Sequence, residues 1–228
     1  MLNEKQLKIF SEFFDEVPSA EVALNKNDLE ELYKLVGSDY VDTFAREFAC
    51  IQGIVCSYLT DLLMSAGIDV IDYFTNKTTL PIGCFYDCEA INDSNINRLV
   101  ANKEIIPAFC FCRCDNLTNV KLTNTISLGE DAFHQCKKLS KIDLGVIKHL
   151  GIHCLDSCGD LRELSLPISI YYIGEGALGY DTSDVYYDGT CEDFRNILNA
   201  KFEAIFDLGT RVRCSDGVAD IKSEYKRN

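Results

Sequence analysis

Low-complexity stretches are absent from the sequence, and 47% of its 228 residues are hydrophobic. A disordered chain is therefore not expected; one composite domain or two small ones can bury a core. The opening decapeptide, MLNEKQLKIF, has an acid, two amides and two lysines where an export signal needs an unbroken apolar run, so no such signal is expected. The most apolar stretch, Ile51 to Ile71, contains Gln52, Asp61 and Asp69. Charges at that depth are costly in hydrocarbon, and the stretch reads as a core helix, not a membrane span. Motifs of common enzyme classes are missing as well. No GxGxxG opens a helix after a strand, and there is no GxxxxGK, HExxH or GxSxG. Only three histidines are present: His134, His149 and His153. The last two lie four apart beside Cys154, in what reads as a turn segment, with no third group to orient a Cys/His nucleophile. The chain is therefore expected to be no enzyme.

The formal net charge is −14, and it is unevenly spread. Residues 1–75 hold 14 acids against 5 bases, residues 76–180 hold 12 against 10, and residues 181–228 hold 10 against 7. An acidic front end repels phosphates and suits a protein partner with a basic surface. Lys137, Lys138 and Lys141 make a basic spot in mixed surroundings, too small for a nucleic-acid footprint. Twelve cysteines would suggest a disulfide framework in a short secreted chain. In a chain of this length with no export signal expected, reduced thiols in a cytoplasm fit better.

The first 75 residues read as helices. Leu7, Phe10, Phe14 and Val17 form a stripe that ends at Pro18, and Asn27 with Glu30 makes a capping box ahead of Leu29, Leu32 and Leu35. A longer helix runs through Phe44, Phe48, Ile51, Val55, Leu59, Leu62 and Ala66 until Gly67 stops it. From about residue 80 the chain repeats itself. Cys88, Cys114, Cys136 and Cys158 each precede an apolar residue by three: Ile91, Leu117, Leu139 and Leu161. Three copies continue into strand-like triplets, Leu117-Val120-Leu122, Leu139-Ile142-Leu144 and Leu161-Leu164-Leu166. The first copy, Ile91-Ser94-Ile96, is degenerate. Upstream stand Cys84-Phe85, Cys110-Phe111, Ala132-Phe133 and Cys154-Leu155, with a partial fifth copy at Ile173-Gly174 and Ala177-Leu178.

Cysteine intervals of 26, 22 and 22 residues suit a solenoid in which each coil, one short strand and a return segment, buries its apolar face only against its neighbours. The motif running from Gly129 to Leu144, Gly-x-x-Ala-Phe-x-x-Cys-x-x-Leu-x-x-Ile-x-Leu, resembles the BspA-like leucine-rich repeats of bacteria, their phages and some protists. Tyr186-Tyr187-Asp188-Gly189-Thr190 and Cys214-Ser215-Asp216-Gly217 are similar to the segments that close such arrays around a short helix and a strand. The resemblance covers residues 78–217 and implies a leucine-rich-repeat solenoid of four to five coils with parallel strands; with the small all-α domain that helical periodicity, and no family resemblance, predicts over residues 1–75, the expected fold class is α+β. The expected division is an acidic helical domain over 1–75, repeats over 76–182 and a C-terminal cap over 183–228. Pro81 and Pro107 replace the Gly129, Gly151 and Gly174 of later copies, so the first coil should be the least regular.

No metal or other cofactor is expected. Cys110, Cys112 and Cys114 form a CxCxC run, but Ala132 and Ala177 stand in the place of Cys84, Cys110 and Cys154, which reads as a demand for small volume. Cys112 lies off that register and is the strongest thiol candidate. Function is expected on the outward strand positions, where side chains alternate faces: Asp93, Asn119, Lys141 and Glu163 in one column, Asn95, Lys121, Asp143 and Ser165 in the next. A polar ladder of both signs suits a protein surface. The resemblance implies a non-enzymatic protein-binding module, in its most specific form a phage-encoded inhibitor of a host defence protein. A structural or adhesive repeat protein of a cell surface or virion, and an acidic competitor of nucleic acid at a basic host protein, are the alternatives. Ile142 anchors the most regular copy, so Ile142→Asp is expected to bury an unpaired charge at a cost of about 3–5 kcal/mol and abolish the cooperative thermal melt; a melt like that of the parent would mean a wrong repeat register.

Overall fold

A computed structural model describes residues 57, 60, 61, 64, 67, 69–197 and 210–219; the expected helices before residue 57 lie outside them. Gly67, the expected helix stop, has φ +77 and its N–H donates to the Met64 carbonyl at 2.9 Å. Among the described residues the order is helix α1 (Val70–Thr75), helix α2 (Asp93–Val100), strands β1 (Ile105–Ile106), β2 (Asn119–Lys121), β3 (Ser127–Leu128), β4 (Lys141–Asp143), β5 (His149–Leu150), β6 (Glu163–Leu166), β7 (Tyr172–Ile173) and β8 (Asp184–Tyr187), helix α3 (Cys191–Ile197), and strands β9 (Arg211–Cys214) and β10 (Gly217–Ala219).

The chain winds as a solenoid with two parallel ladders where the repeat pattern implied one. β1, β3, β5 and β7 form the first sheet. On the other side β2 pairs with β4, and β6 begins a sheet that runs through β8 and β9 to β10. The return segment is thus itself a two-residue strand in each coil. Burial alternates as period two requires: Val120, Ile142 and Leu164 point inward between exposed neighbours. The core between the ladders holds Phe85, Phe111 and Phe133 stacked at centroid spacings of 5.6 and 5.3 Å, with Phe74 of α1 edge-on to Phe85 at 5.4 Å.

A third ladder runs along the turns that carry the cysteines. The N–H groups of Phe85, Phe111, Phe133 and Leu155 donate to the carbonyls of Cys110, Ala132, Cys154 and Ala177 in the following coil, at 2.9–3.1 Å. This turn carries left-handed residues four apart, which puts Phe109, Asp131 and His153, and again Asp87, Arg113, Gln135 and Ser157, at φ between 51 and 62. The repeat cysteines complete it. Cys114, Cys136 and Cys158 donate their thiols to the Phe85, Phe111 and Phe133 carbonyls of the preceding coil at 3.1–3.2 Å, so this column uses the S–H as well as the small volume.

The first coil departs from expectation. Asp93 and Asn95, placed by the repeat on a strand, lie on helix α2. Asn92 and Asn95 form a capping box, and Ile96, Leu99 and Val100 recur at helical spacing on the buried face, which outweighs the weak strand signal of Ile91-Ser94-Ile96. Helix α2 then covers the open edge of β2 with side chains. Asp93 accepts from the Thr118 and Asn119 N–H groups at 2.8 and 3.0 Å and from the Thr118 hydroxyl, and Asn97, one turn on, accepts from Lys121 N–H at 2.7 Å. At the turn ladder the Thr60 and Ser57 hydroxyls donate to the Cys84 and Tyr86 carbonyls at 2.6 and 2.7 Å, where a preceding coil would otherwise stand. Ser57 and Thr60 therefore supply side-chain partners at the front of the turn ladder.

Coil spacing is set where Gly129, Gly151 and Gly174 stack. A Cβ on Gly151 would lie 2.6 Å from the Gly129 carbonyl carbon and 2.7 Å from Glu130 N, both backbone atoms that cannot move aside. Gly151→Ala is expected to cost about 1–3 kcal/mol in urea unfolding, whereas Gly159→Ala, whose Cβ would sit 3.4 Å from the Lys137 carbonyl oxygen, should stay within about 0.5 kcal/mol of the parent. Asp93 generates a second prediction. Burial alone would raise its pKa, but the Thr118 hydroxyl and the Thr118 and Asn119 amides hold the carboxyl below its usual range. Its stabilisation is therefore complete above the ordinary carboxylate value of about 3.9 and disappears as pH falls through the lowered one. Asp93→Ala should lower the urea midpoint at neutral pH by the equivalent of about 1–2 kcal/mol, with the difference from the parent shrinking in acid.

Candidate protein-binding surface

The ladder sheet places Asn119 beside Lys141 and Lys121 beside Asp143 in strict register, and β4 lies against β6, which carries Glu163 and Ser165. All six side chains are exposed. Register extends the two columns through Asp184 and Arg211, and through Tyr186 and Arg213. Lys121, Lys141 and Glu163 form no ion pair among the described residues, so opposite charges on this face stand side by side without locking one another. The far end differs. Asp184 takes Arg211 at 2.9 Å and Arg213 at 3.1 Å; burial would raise its pKa, but the two guanidinium groups hold it below the carboxylate range. Asp93 and Asn95 are not on this face, being occupied by the edge of β2 and by the α2 cap.

A second surface went unmarked in the sequence. Where the ladder sheet turns into the first sheet on the last two coils, Val146, Ile168, Tyr171 and Tyr172 are 49, 68, 65 and 43% exposed. They are neighbours because the coils are bonded there: Tyr171 N–H donates to the Lys148 carbonyl at 3.0 Å, and the Ser169 hydroxyl to the Ile147 carbonyl at 2.8 Å. His149 lies on β5, not in a turn, and its ring stacks on Tyr172 at 4.3 Å. The available signal was the run Ile168-Ser-Ile-Tyr-Tyr-Ile173, in which Ile170 and Ile173 alone suffice as core anchors.

Catalytic chemistry is poorly provided. Burial pushes the thiols of Cys114, Cys136 and Cys154 well above their ordinary value and that of Cys158 up to about 12, so they remain protonated and unreactive at neutral pH. Ser127 Oγ lies 3.4 Å from His149 Nδ1, but no carboxylate among the described residues orients the ring, and burial lowers the histidine pKa. His134 Nδ1 lies 3.5 Å from Asp156 and 3.6 Å from Asp131, and His153 Nδ1 lies 3.8 Å from Asp156, with no nucleophile among them. The segment Gly174-Glu175-Gly176-Ala177-Leu178-Gly179 follows β7 but opens no helix, so it lacks the helix terminus that a dinucleotide phosphate requires. Cys112, the thiol singled out by sequence, is buried in the turn at the position of Tyr86, His134 and Asp156. One group of metal-ligand type does occur among the described residues, in the cap: Cys191, Cys214 and Asp216 bring one donor atom each within 4.8 Å of the others.

No described helix is long and apolar enough to cross a membrane. Comparison with family models matches residues 61–205 to the BspA type leucine rich repeat region, in six copies. No curated protein and no solved structure matches the chain.

Proposed function

The chain belongs to the BspA-type leucine-rich-repeat family, and we propose that it is a non-catalytic module that binds one protein partner through the last coils of its solenoid. The observation that carries this reading is the exposed strip of Val146, Ile168, Tyr171 and Tyr172. Apolar and tyrosine side chains gathered on adjacent coils have the composition of an interface centre, where desolvation supplies the affinity. The ladder of Asn119, Lys121, Lys141, Asp143, Glu163 and Ser165 adjoins the strip through the turns 144–147 and 166–170 and acts as the selective rim, since unlocked charges of both signs reject partners that fail to complement them. The net charge of −14 favours a partner with basic surface around its apolar contact. The finer reading is an inhibitor, phage-encoded, that occludes a host defence protein in the cytoplasm; the resemblance of the repeats to those of bacteria and their phages supports it, as does a core of buried thiols that hydrogen-bond to carbonyls.

The test is affinity capture from a lysate of the native or host cells, with variants run beside the parent. The parent is expected to retain a single stoichiometric protein. The Ile168→Asp, Tyr171→Ala double variant, altered only at exposed positions, should melt like the parent yet lose that protein, and Lys141→Glu should weaken retention on the order of tenfold. Retention unchanged by both variants would remove the binding surface from this face of the solenoid.

A further inference from the structure

Ten cysteines fall among the described residues, and two of them stand outside the repeat. Cys191 opens α3 and Cys214 ends β9, 23 residues later. Most repeat thiols have a fixed partner, a backbone carbonyl for Cys114, Cys136, Cys154 and Cys158 and a neighbouring thiol for Cys84 and Cys110. The cap thiols instead face one another and the carboxylate of Asp216. We propose that Cys191, Cys214 and Asp216 form a binding site for a single divalent thiophilic cation of the zinc class, with its fourth position open to solvent.

The convergence is held by backbone. The N–H and hydroxyl of Ser215 donate to the Gly189 carbonyl at 2.9 and 3.0 Å, and Cys191 N–H donates to Asp216 Oδ1 at 2.8 Å. Thr190 and Asp193 cap α3 reciprocally, at 3.1 Å for each backbone N–H, and Tyr187 packs on Phe194 at 5.4 Å, which fixes the helix that carries Cys191. A Cβ on Gly189 would meet the Tyr187 ring at 2.5 Å, so a larger residue at the crossing would displace that ring. Tetrahedral zinc with sulfur at about 2.3 Å and oxygen at about 2.1 Å needs sulfur–sulfur and sulfur–oxygen edges of about 3.8 and 3.6 Å. The three donor atoms, all within 4.8 Å of one another, reach those edges by small side-chain rotations. Two thiolates and one carboxylate are a donor set suited to zinc and unsuited to magnesium or calcium, which take oxygen alone. Cys191 is buried, while Cys214 is half-buried and Asp216 exposed, so an ion can enter from solvent and retain a water. Binding would tie α3 to the β9–β10 hairpin at the end of the array.

The test uses the full chain, treated with chelator and a phosphine reductant, then titrated with Co2+ as a spectroscopic probe. The expected result is one equivalent bound, with a thiolate-to-cobalt charge-transfer band and tetrahedral visible bands that Zn2+ abolishes. Cys214→Ser should lose the charge-transfer intensity while keeping the metal-free circular dichroism of the parent, and Cys191→Ser should do the same. Asp216→Asn should weaken binding at least on the order of 100-fold, since even outer-shell losses reach that range. Cys112→Ser should bind like the parent. Retention of the cobalt spectrum in the Cys191→Ser, Cys214→Ser double variant would overturn the site, as would failure of the reduced parent to bind. A cap linked by a disulfide, seen as a mass lower by two hydrogens before reduction, with no metal taken up afterwards, would overturn it too.

Discussion

Each coil of this protein presents rows of backbone N–H and C=O groups to the coil on either side, and every other feature depends on those rows finding partners. Within the array the partners are the same groups one repeat away, along β1-β3-β5-β7, along β2-β4 and β6-β8-β9, and along the turn that carries the cysteines. The ends have no next coil. At the front, side chains substitute: Asp93 and Asn97 accept from the edge of β2, and Thr60 and Ser57 donate to the turn carbonyls of Cys84 and Tyr86. At the back, β9 pairs parallel to β8 and antiparallel to β10, so this sheet ends on a hairpin. An uncapped edge of this kind would recruit another chain.

The same requirement explains the composition of the turn. Its left-handed residues are individually unfavourable for side chains other than glycine, of order 1–2 kcal/mol each, and Asp87, Phe109, Arg113, Asp131, Gln135 and His153 offset that cost by donating their N–H groups to carbonyls of the next coil. The thiols of Cys114, Cys136 and Cys158 answer the Phe85, Phe111 and Phe133 carbonyls in the same geometry. A small residue would fill the space, but only one with a donor adds a second hydrogen bond to a carbonyl that already accepts a backbone N–H at 3.3 Å. That distinguishes this cysteine column from the neighbouring one, where Ala132 and Ala177 replace cysteine.

The interior is filled by buried apolar side chains and thiols, so what the solenoid offers a partner is its outer surface. The two surfaces available differ in kind. The sheet through β2, β4 and β6 shows side chains of both signs that form no ion pairs among the described residues, whereas the corner beside it shows Val146, Ile168, Tyr171 and Tyr172. Their adjacency lets one partner meet an apolar anchor and a charged rim together, a division of labour between affinity and selectivity common to protein interfaces. Where α3 meets β9 and β10, Cys191, Cys214 and Asp216 bring their donor atoms together.

Val120, Ile142 and Leu164 were legible as inward anchors, and Asn119, Lys121, Lys141, Asp143, Glu163 and Ser165 as their outward neighbours, because strand side chains alternate and the 22-residue spacing repeats them. The two-residue strands of the first sheet were not legible, since two residues are too few to show a period. Helix α2 was misread as a degenerate strand because repeat alignment carried more weight than the Asn92 capping box and the Ile96-Leu99-Val100 spacing. The apolar strip was hidden inside a run in which buried and exposed isoleucines look alike. By itself the sequence determined the coil and its repetition, since these follow from local periodicity and from apolar faces that must stack; the closing segments were marked by resemblance to the family alone. Only the tertiary structure decided which groups cap the open edges, which apolar side chains stay outside, and that Cys191 meets Cys214 and Asp216, because those outcomes depend on contacts between segments whose separation in the chain obeys no period.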